Sequence, residues 1–302
     1  MLSIKKYAAI DIGSNAVRLL ISDIIKADDT PPIFKKTSLV RVTIRLGADV
    51  FIKEEISDYN KARLIDTMRA FGLLMKTHNV ERYKACATSA MREAKNGRAI
   101  VDIIKHDANI NIEIIDGEVE AAIIAATDIN NYIDVNRTYL YVDVGGGSTE
   151  FSVIYNGKKV ASKSFKIGTV RLLNNMVSEM AWNELELWIV EHTSKYEKID
   201  LIGSGGNINK IFKVSGKDQG KPLTYFYLTN YYKTLQDYTY DERIYKLNLN
   251  QDRADVIIPA TRIYLSAMKW SKAKHIYVPK IGLSDGIIKS LYHETVSGNK
   301  LM

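Results

Sequence analysis

The 302-residue sequence predicts an α/β protein made of two similar halves. Three observations carry that prediction. Apolar, β-branched runs of strand length alternate with segments whose apolar residues recur at helical spacing, the pattern of a sheet flanked by helices. A strand–aspartate–glycine turn–strand unit occurs twice: Asp11-Ile12-Gly13-Ser14-Asn15-Ala16-Val17-Arg18 matches Asp143-Val144-Gly145-Gly146-Gly147-Ser148-Thr149-Glu150 in register, 132 residues apart. The length suits two domains at roughly 150 residues each.

The first half opens with three strands, Tyr7 to Asp11, Val17 to Ile25 and Ile33 to Leu46, the last two separated by the turn Asp28-Asp29-Thr30-Pro31-Pro32. Ala62, Ile65, Met68, Phe71 and Leu74 mark a helix from Ser57 to His78. A strand at Tyr83 to Ala87, a helix at Met91 to His106, a strand at Ile110 to Ile115 and a helix at Gly117 to Asn131 complete the order βββαβαβα. The second half starts alike, with strands at Tyr139 to Val144, Glu150 to Asn156 and Lys158 to Lys166. The Asn156-Gly157 pair between the last two signals a hairpin, because both central positions of a type I′ turn need positive φ. A helical region from Arg171 to Thr193, a strand at Ile199 to Ile202, a helix from Asn207, a helical stretch at Asp252 to Ser271, a strand at His275 to Val278 and a helix at Leu283 to His293 follow. The expected division is 1–127 and 128–302, with the final helix free to pack back on the first half; no low-complexity linker separates them.

Composition narrows the function classes. Apolar residues at 46% and charged ones at 25% disfavour disorder and coiled coil. No apolar run approaches the roughly 18 residues of a membrane span. The start, Met1 to Ile10, is interrupted at once by Asp11, Asn15 and Arg18, unlike a secretory signal. A cytoplasmic location is therefore expected. Cys86 is the one cysteine, and five histidines are scattered singly, which argues against disulfide frameworks, zinc and haem. A formal net charge of +7 favours polyanionic partners such as phosphorylated metabolites. Neither a nucleic-acid nor a membrane partner is expected.

The two glycine turns are the candidate chemistry. Small residues between two strands leave backbone N–H groups free to point at an anion, and Gly145, Gly146 and Gly147 in a row exceed what a plain hairpin needs. No GxxxxGK[ST] and no strand–GxGxxG–helix unit is present, so the P-loop and dinucleotide readings fail on their residues.

The turn segments AIDIGSNAVRLLISDI and YVDVGGGSTEFSVI resemble those of the exopolyphosphatase and guanosine pentaphosphate phosphohydrolase family. So do ATSAMREA (Ala87 to Ala94), IEIIDGEVEA (Ile112 to Ala121), KIGTVRL (Lys166 to Leu172), IGSGGNINKI (Ile202 to Ile211), RADVIIPA (Arg253 to Ala260) and KIGLSDGII (Lys280 to Ile288), all in the family's order. The resemblance spans nearly the whole chain. It implies duplicated ribonuclease-H-like lobes of the actin, sugar-kinase and heat-shock ATPase superfold with an interlobe cleft. It also implies magnesium-dependent hydrolysis of the terminal phosphoanhydride of polyphosphate or guanosine pentaphosphate, and a homodimer. Position by position, it makes Glu120 the catalytic base and Arg92 a phosphate-contacting arginine. Ser14, Asn15, Gly145, Gly146, Gly147 and Ser148 match the phosphate turns, with Arg18, Gly205 and Gly206 added as phosphate-binding candidates. Asp143 and Glu150 match the magnesium ligands, with Asp11 a third candidate. Spacing alone does not separate Glu120 from Glu118, since both fit a first-turn carboxylate favoured by the helix dipole.

Three departures accompany the resemblance. Val119 stands for the first glutamate of the family's ISGxEEA segment and Asp116 for its serine, while Ser284 replaces the arginine of the GLREG segment. The larger members carry C-terminal helical domains beyond the second lobe; without them a distributive enzyme favouring short polyphosphate is expected. Lysines at 158, 159, 163 and 166, then 210, 213, 217 and 221, are a candidate polyanion route or simply solvated faces. For Arg18 and Arg171 a surface ion pair is at least as good an account as a phosphate contact. Cys86 reads as a buried inert thiol, and the seven tyrosines from Tyr225 to Tyr245 as an interface or a half-buried helical face ahead of a stack for a guanine base. A kinase of the same superfold, using Gly203 to Asn207 for adenosine, and a non-catalytic sensor of polyphosphate or guanosine tetra- or pentaphosphate are the competing readings.

Overall fold

The computed structural model describes residues 2–125, 127 and 134–297. The chain forms two compact units, Met1–Thr127 with Leu283–Met302, and Asp128–Gly282. Each unit holds one sheet.

In the first unit, β1 (Ser3–Ile12), β2 (Ala16–Lys26), β3 (Ile33–Thr43), β4 (Arg82–Ala87) and β5 (Ile112–Ile114) lie in the order β3-β2-β1-β4-β5. β1 to β3 are an antiparallel meander, and β4 and β5 continue parallel to β1. Tyr7 to Ile12 of β1 are all buried, as expected for a central strand covered on both faces. β3 ends at Thr43 rather than Leu46, because Arg45 turns into the left-handed region (φ 63°) and starts α1 (Leu46–Lys53), a helix the alternating pattern concealed. α2 (Asp58–Thr77) is capped by the Ser57 hydroxyl, which accepts from the Asn60 N–H. The helix expected at Met91 to His106 is two, α3 (Ser89–Glu93) and α4 (Gly97–Ala108), parted by extended backbone at Ala94. α5 (Gly117–Ala125) follows β5; part of the expected extension to Asn131 lies outside the described residues. The last helix, α13 (Leu283–Ser297), belongs to this unit and packs on β1, β2, β4 and α5. Phe34 meets Tyr292 edge-on at 5.6 Å, and Lys36 pairs with Asp285 at 2.7 Å.

In the second unit, β6 (Thr138–Val144), β7 (Thr149–Tyr155), β8 (Lys158–Phe165), β9 (Ile199–Ser204), β10 (Leu223–Thr224) and β11 (His275–Tyr277) lie in the order β10-β11-β9-β6-β7-β8. Read from β8, this repeats the first sheet strand for strand and adds β10 at the edge. Asn156 and Gly157 both take positive φ, 50° and 70°, between β7 and β8. The Arg171 to Thr193 region is α6 (Thr169–Leu173) and α7 (Glu179–Thr193), the latter capped by Ser178. α8 (Gly206–Val214), α9 (Tyr225–Asp237), α10 (Tyr240–Tyr245), α11 (Gln251–Ala254) and α12 (Ile257–Trp270) complete the unit. Pro259 sits in the first turn of α12, where its missing N–H costs no intrahelical bond, so the expected Asp252 to Ser271 helix starts afresh there. Phe151, Phe165 and Trp188 pack ring to ring in the core. Tyr227 and Tyr231, one turn apart on α9, stack at 6.2 Å with Tyr231 buried. No described helix is long and apolar enough to cross a membrane.

Candidate functional site

The internal repeat survives into atomic detail. In the first unit the Gly13 N–H donates to the Ala16 carbonyl at 3.2 Å; at the equivalent place in the second, the Gly145 N–H donates to the Ser148 carbonyl at 3.0 Å. Across the strands Asp11 faces Arg18, and Asp143 faces Glu150. Both turns stand at the carboxyl ends of strands flanked by parallel neighbours, β1 beside β4 and β6 beside β9. Open α/β sheets bind ligands at such ends.

The second turn is held from one side. The Thr169 and Val170 N–H groups donate to the Gly145 and Gly146 carbonyls at 3.0 and 2.8 Å, and Arg171 Nε donates to the Gly147 carbonyl at 2.8 Å. The N–H groups of Gly146, Gly147 and Ser148 donate to no described backbone carbonyl. Spent carbonyls and available N–H groups make a cradle for an anion. Gly168 is what allows this approach, because a Cβ there would lie 2.3 Å from the Gly146 carbonyl oxygen. At the end of β9, Gly205 takes φ +112°, a conformation that side chains resist, with Val144 O and Asp143 Oδ1 close by. The Arg253 guanidinium lies across Gly206, where a Cβ would be 2.5 Å from Nη1, and donates to Asn207 Oδ1 at 3.3 Å.

Asp143 and Glu150 project from the same face of β6 and β7 as direct cross-strand partners. Glu150 is buried, and one of its oxygens, Oε1, accepts from Ser148 Oγ at 2.7 Å and Ser164 Oγ at 2.9 Å, which fixes the carboxylate. Burial first, and then the Asp143 charge, push the Tyr141 and Tyr264 phenols well above their ordinary values. Tyr264 thus stays a neutral donor to the Ser204 carbonyl. Two carboxylates suit magnesium, which commonly takes one or two and completes its shell with water and phosphate oxygens. Among the described residues no group of three histidine, cysteine, aspartate or glutamate side chains forms a closed cage. This donor set fits that ion.

In the first unit Asp11 is buried and its Oδ2 accepts from Arg18 Nη1 at 2.7 Å, so these two candidates meet each other in an ion pair. The Ser14 and Ser89 hydroxyls bond at 2.9 Å, and the Ser14 and Asn15 carbonyls accept from the Gly47 and Arg45 N–H groups at 2.8 and 3.0 Å. Arg92, half-buried at the end of α3, donates from Nη1 to the Ile115 carbonyl at 2.5 Å, just ahead of α5. On α5 the two first-turn carboxylates part company: Glu118 is exposed, whereas Glu120 is 9% exposed. Burial pushes the Cys86 thiol up to about 12, with the charges of Glu113, Asp11 and Glu120 adding to it and Lys84 opposing. Cys86 is an inert thiol at the centre of this group. Asp116 explains one departure, because its Oδ1 accepts from the Val119 N–H at 2.8 Å as an N-cap, a task serine performs equally well. Asp116→Ala is expected to lower stability by about 1 kcal/mol, and Asp116→Ser to restore it, in denaturant melts. Equal stability of all three would remove the cap.

Three contributors carried no firm role in the sequence reading. Arg171 is buried under the second turn, where its Nε holds the Gly147 carbonyl. Gly168 and Arg253 lay in the quoted segments without a stated task. Of the lysines, Lys163 pairs with Glu184 at 2.8 Å and Lys210 Nζ is fixed on the Asn248 carbonyl at 2.8 Å.

The bifunctional 3-dehydroquinate synthase/phosphatase of Fusobacterium nucleatum is 28% identical over 285 residues, 85% of this chain and 42% of that one. Exopolyphosphatase 2 of Mycobacterium tuberculosis is 30% identical over 180 residues, 57% of this chain and 54% of its own length. The chain spans about half the length of the curated relatives it matches. The solved structure of a Ppx/GppA family member from Aquifex aeolicus superposes with a TM-score of 0.75 at 26% identity, covering 98% of this chain and 99% of that one. The Ppx/GppA phosphatase family model matches residues 24–295, and the chain belongs to that family.

Proposed function

We propose that the chain is a phosphoanhydride hydrolase that releases the terminal phosphate of inorganic polyphosphate or guanosine pentaphosphate. The observation that carries this reading is the burial of Glu120 in the first turn of α5, beside an exposed Glu118. A carboxylate serving only the helix dipole needs no burial, and burying one without a task costs stability. The relative named an exopolyphosphatase supports the same reaction class.

In this reading the N–H groups of Gly146, Gly147 and Ser148 hold phosphate oxygens, and the Arg92 guanidinium, planar and always charged, takes two more. Glu120 accepts a proton from water as the water oxygen bonds to the terminal phosphorus in line with the departing bridging oxygen. The phosphorus–bridge oxygen bond breaks, leaving orthophosphate and a substrate one phosphate shorter. Asp143 and Glu150 would hold magnesium, which supplies neutralisation of phosphate charge when bound. Asp143→Ala or Glu150→Ala is expected to lower activity and raise the magnesium concentration needed for half-maximal rate. Full activity of the parent chain in EDTA would remove the metal assignment.

The test is phosphate release with magnesium from short polyphosphate, long polyphosphate and guanosine pentaphosphate, side by side with direct binding. Turnover of any of them supports the proposal; tight binding with no release from all three would leave a sensor. Lys163 and Lys210, two of the eight lysines of the candidate polyanion route, are engaged within the protein. Short substrates are expected to be favoured, with affinity falling as salt rises and intermediate lengths accumulating on gels of long polyphosphate. Long chains disappearing straight to free phosphate would show a grip that these lysines do not account for.

A further inference from the structure

Helix α7 is apolar on two opposite sides. Leu185, Trp188 and Ile189 are buried in the core of the second unit. A surface helix needs no second apolar stripe, yet Met180, Leu187 and Val190 are 78%, 70% and 42% exposed. Together with exposed Asn183 they recur at steps of three, four and three residues. At about 100° per residue that places all four within an arc of roughly 80°, facing away from the buried set, along about 15 Å of helix. This is the spacing of a coiled-coil seam, with an asparagine among its core positions. Charges border it on both sides. Glu184 and Glu191 run along one edge and Glu179 and Glu186 along the other, all exposed. Lys163 offsets Glu184 at 2.8 Å, and the border remains acidic.

We infer that this face of α7 docks a basic amphipathic α-helix of a partner protein, with apolar residues on Met180, Leu187 and Val190 and lysine or arginine against the glutamates. Charge complementarity selects that occupant. Two copies of α7, parallel or antiparallel, would set glutamate rows against each other, and an anionic membrane would be repelled by the same rows. The interaction is independent of the hydrolase reading, since none of these residues lies in the candidate site.

The experiment titrates the full chain with two synthetic heptad peptides sharing a leucine core with one asparagine, one bordered by lysine and the other by glutamate. Binding is followed by calorimetry and by the NMR signals of α7. Saturable binding of the lysine peptide, weakened by salt, with the glutamate peptide at least about tenfold weaker, is expected. Leu187→Glu should weaken the lysine peptide by about tenfold or more while circular dichroism and Tm stay at parent values. The double variant Glu186→Lys with Glu191→Lys should shift preference toward the glutamate peptide. Equal binding of both peptides, absence of binding, or undiminished binding by Leu187→Glu overturns the proposal. So does sedimentation showing a parent dimer that Leu187→Glu converts to monomer, because the occupant is then a second copy.

Discussion

Glu120→Gln is expected to lower kcat by about 10²–10⁴-fold while substrate affinity stays near that of the parent. Glutamine keeps the shape of the side chain and its place in the first turn of α5, and it loses the ability to take a proton. Glu120 is buried, so a parent-like melt of the variant would show that the substitution leaves the fold intact. The loss then belongs to chemistry and not to stability. Glu118, exposed two residues earlier, provides the control: Glu118→Gln should change kcat by less than about threefold. Steady-state rates, equilibrium binding of a short polyphosphate and a thermal melt on each variant separate the outcomes. A crippled Glu118→Gln beside an active Glu120→Gln would reverse the assignment, whatever the melts show.

The second large effect is expected at Gly168. An alanine Cβ there would sit 2.3 Å from the Gly146 carbonyl oxygen and 2.5 Å from the Gly147 carbonyl carbon. Those are backbone atoms, so no rotamer change relieves the collision; the turn or the start of α6 must move. Overpacking of this kind costs about 1–3 kcal/mol in stability. The larger consequence falls on the cradle, because the Thr169, Val170 and Arg171 donors that hold the three carbonyls shift with it. Gly168→Ala should therefore raise the Kd for polyphosphate by about tenfold or more, the loss of one or two charge-assisted hydrogen bonds. Gly216→Ala is a contrasting control: its Cβ would meet nothing within 4 Å, although φ is +67°, so strain alone should cost little in binding. Parent-like affinity of Gly168→Ala would mean that the turn does not bind the phosphates.

Sequence alone determined the duplication, the strand–turn–strand units and the Asn156-Gly157 hairpin. Each rests on chemistry between residues close along the chain: glycine where φ is positive, apolar residues at a period of two or 3.6. The same local reading ran past Thr43 and merged α3 with α4 and α6 with α7, because apolar spacing continues through a break that only backbone geometry reveals. It left Glu118 and Glu120 equivalent in their own helix turn. Tertiary structure distinguishes them, exposing one and burying the other. It also turned Arg171 from a surface candidate into a buttress of Gly147, and laid Arg253 over Gly206 from 47 positions away. Burial and contact between such distant residues follow from how helices and sheets pack, and spacing along a chain does not encode which side of a helix the rest of the protein will cover.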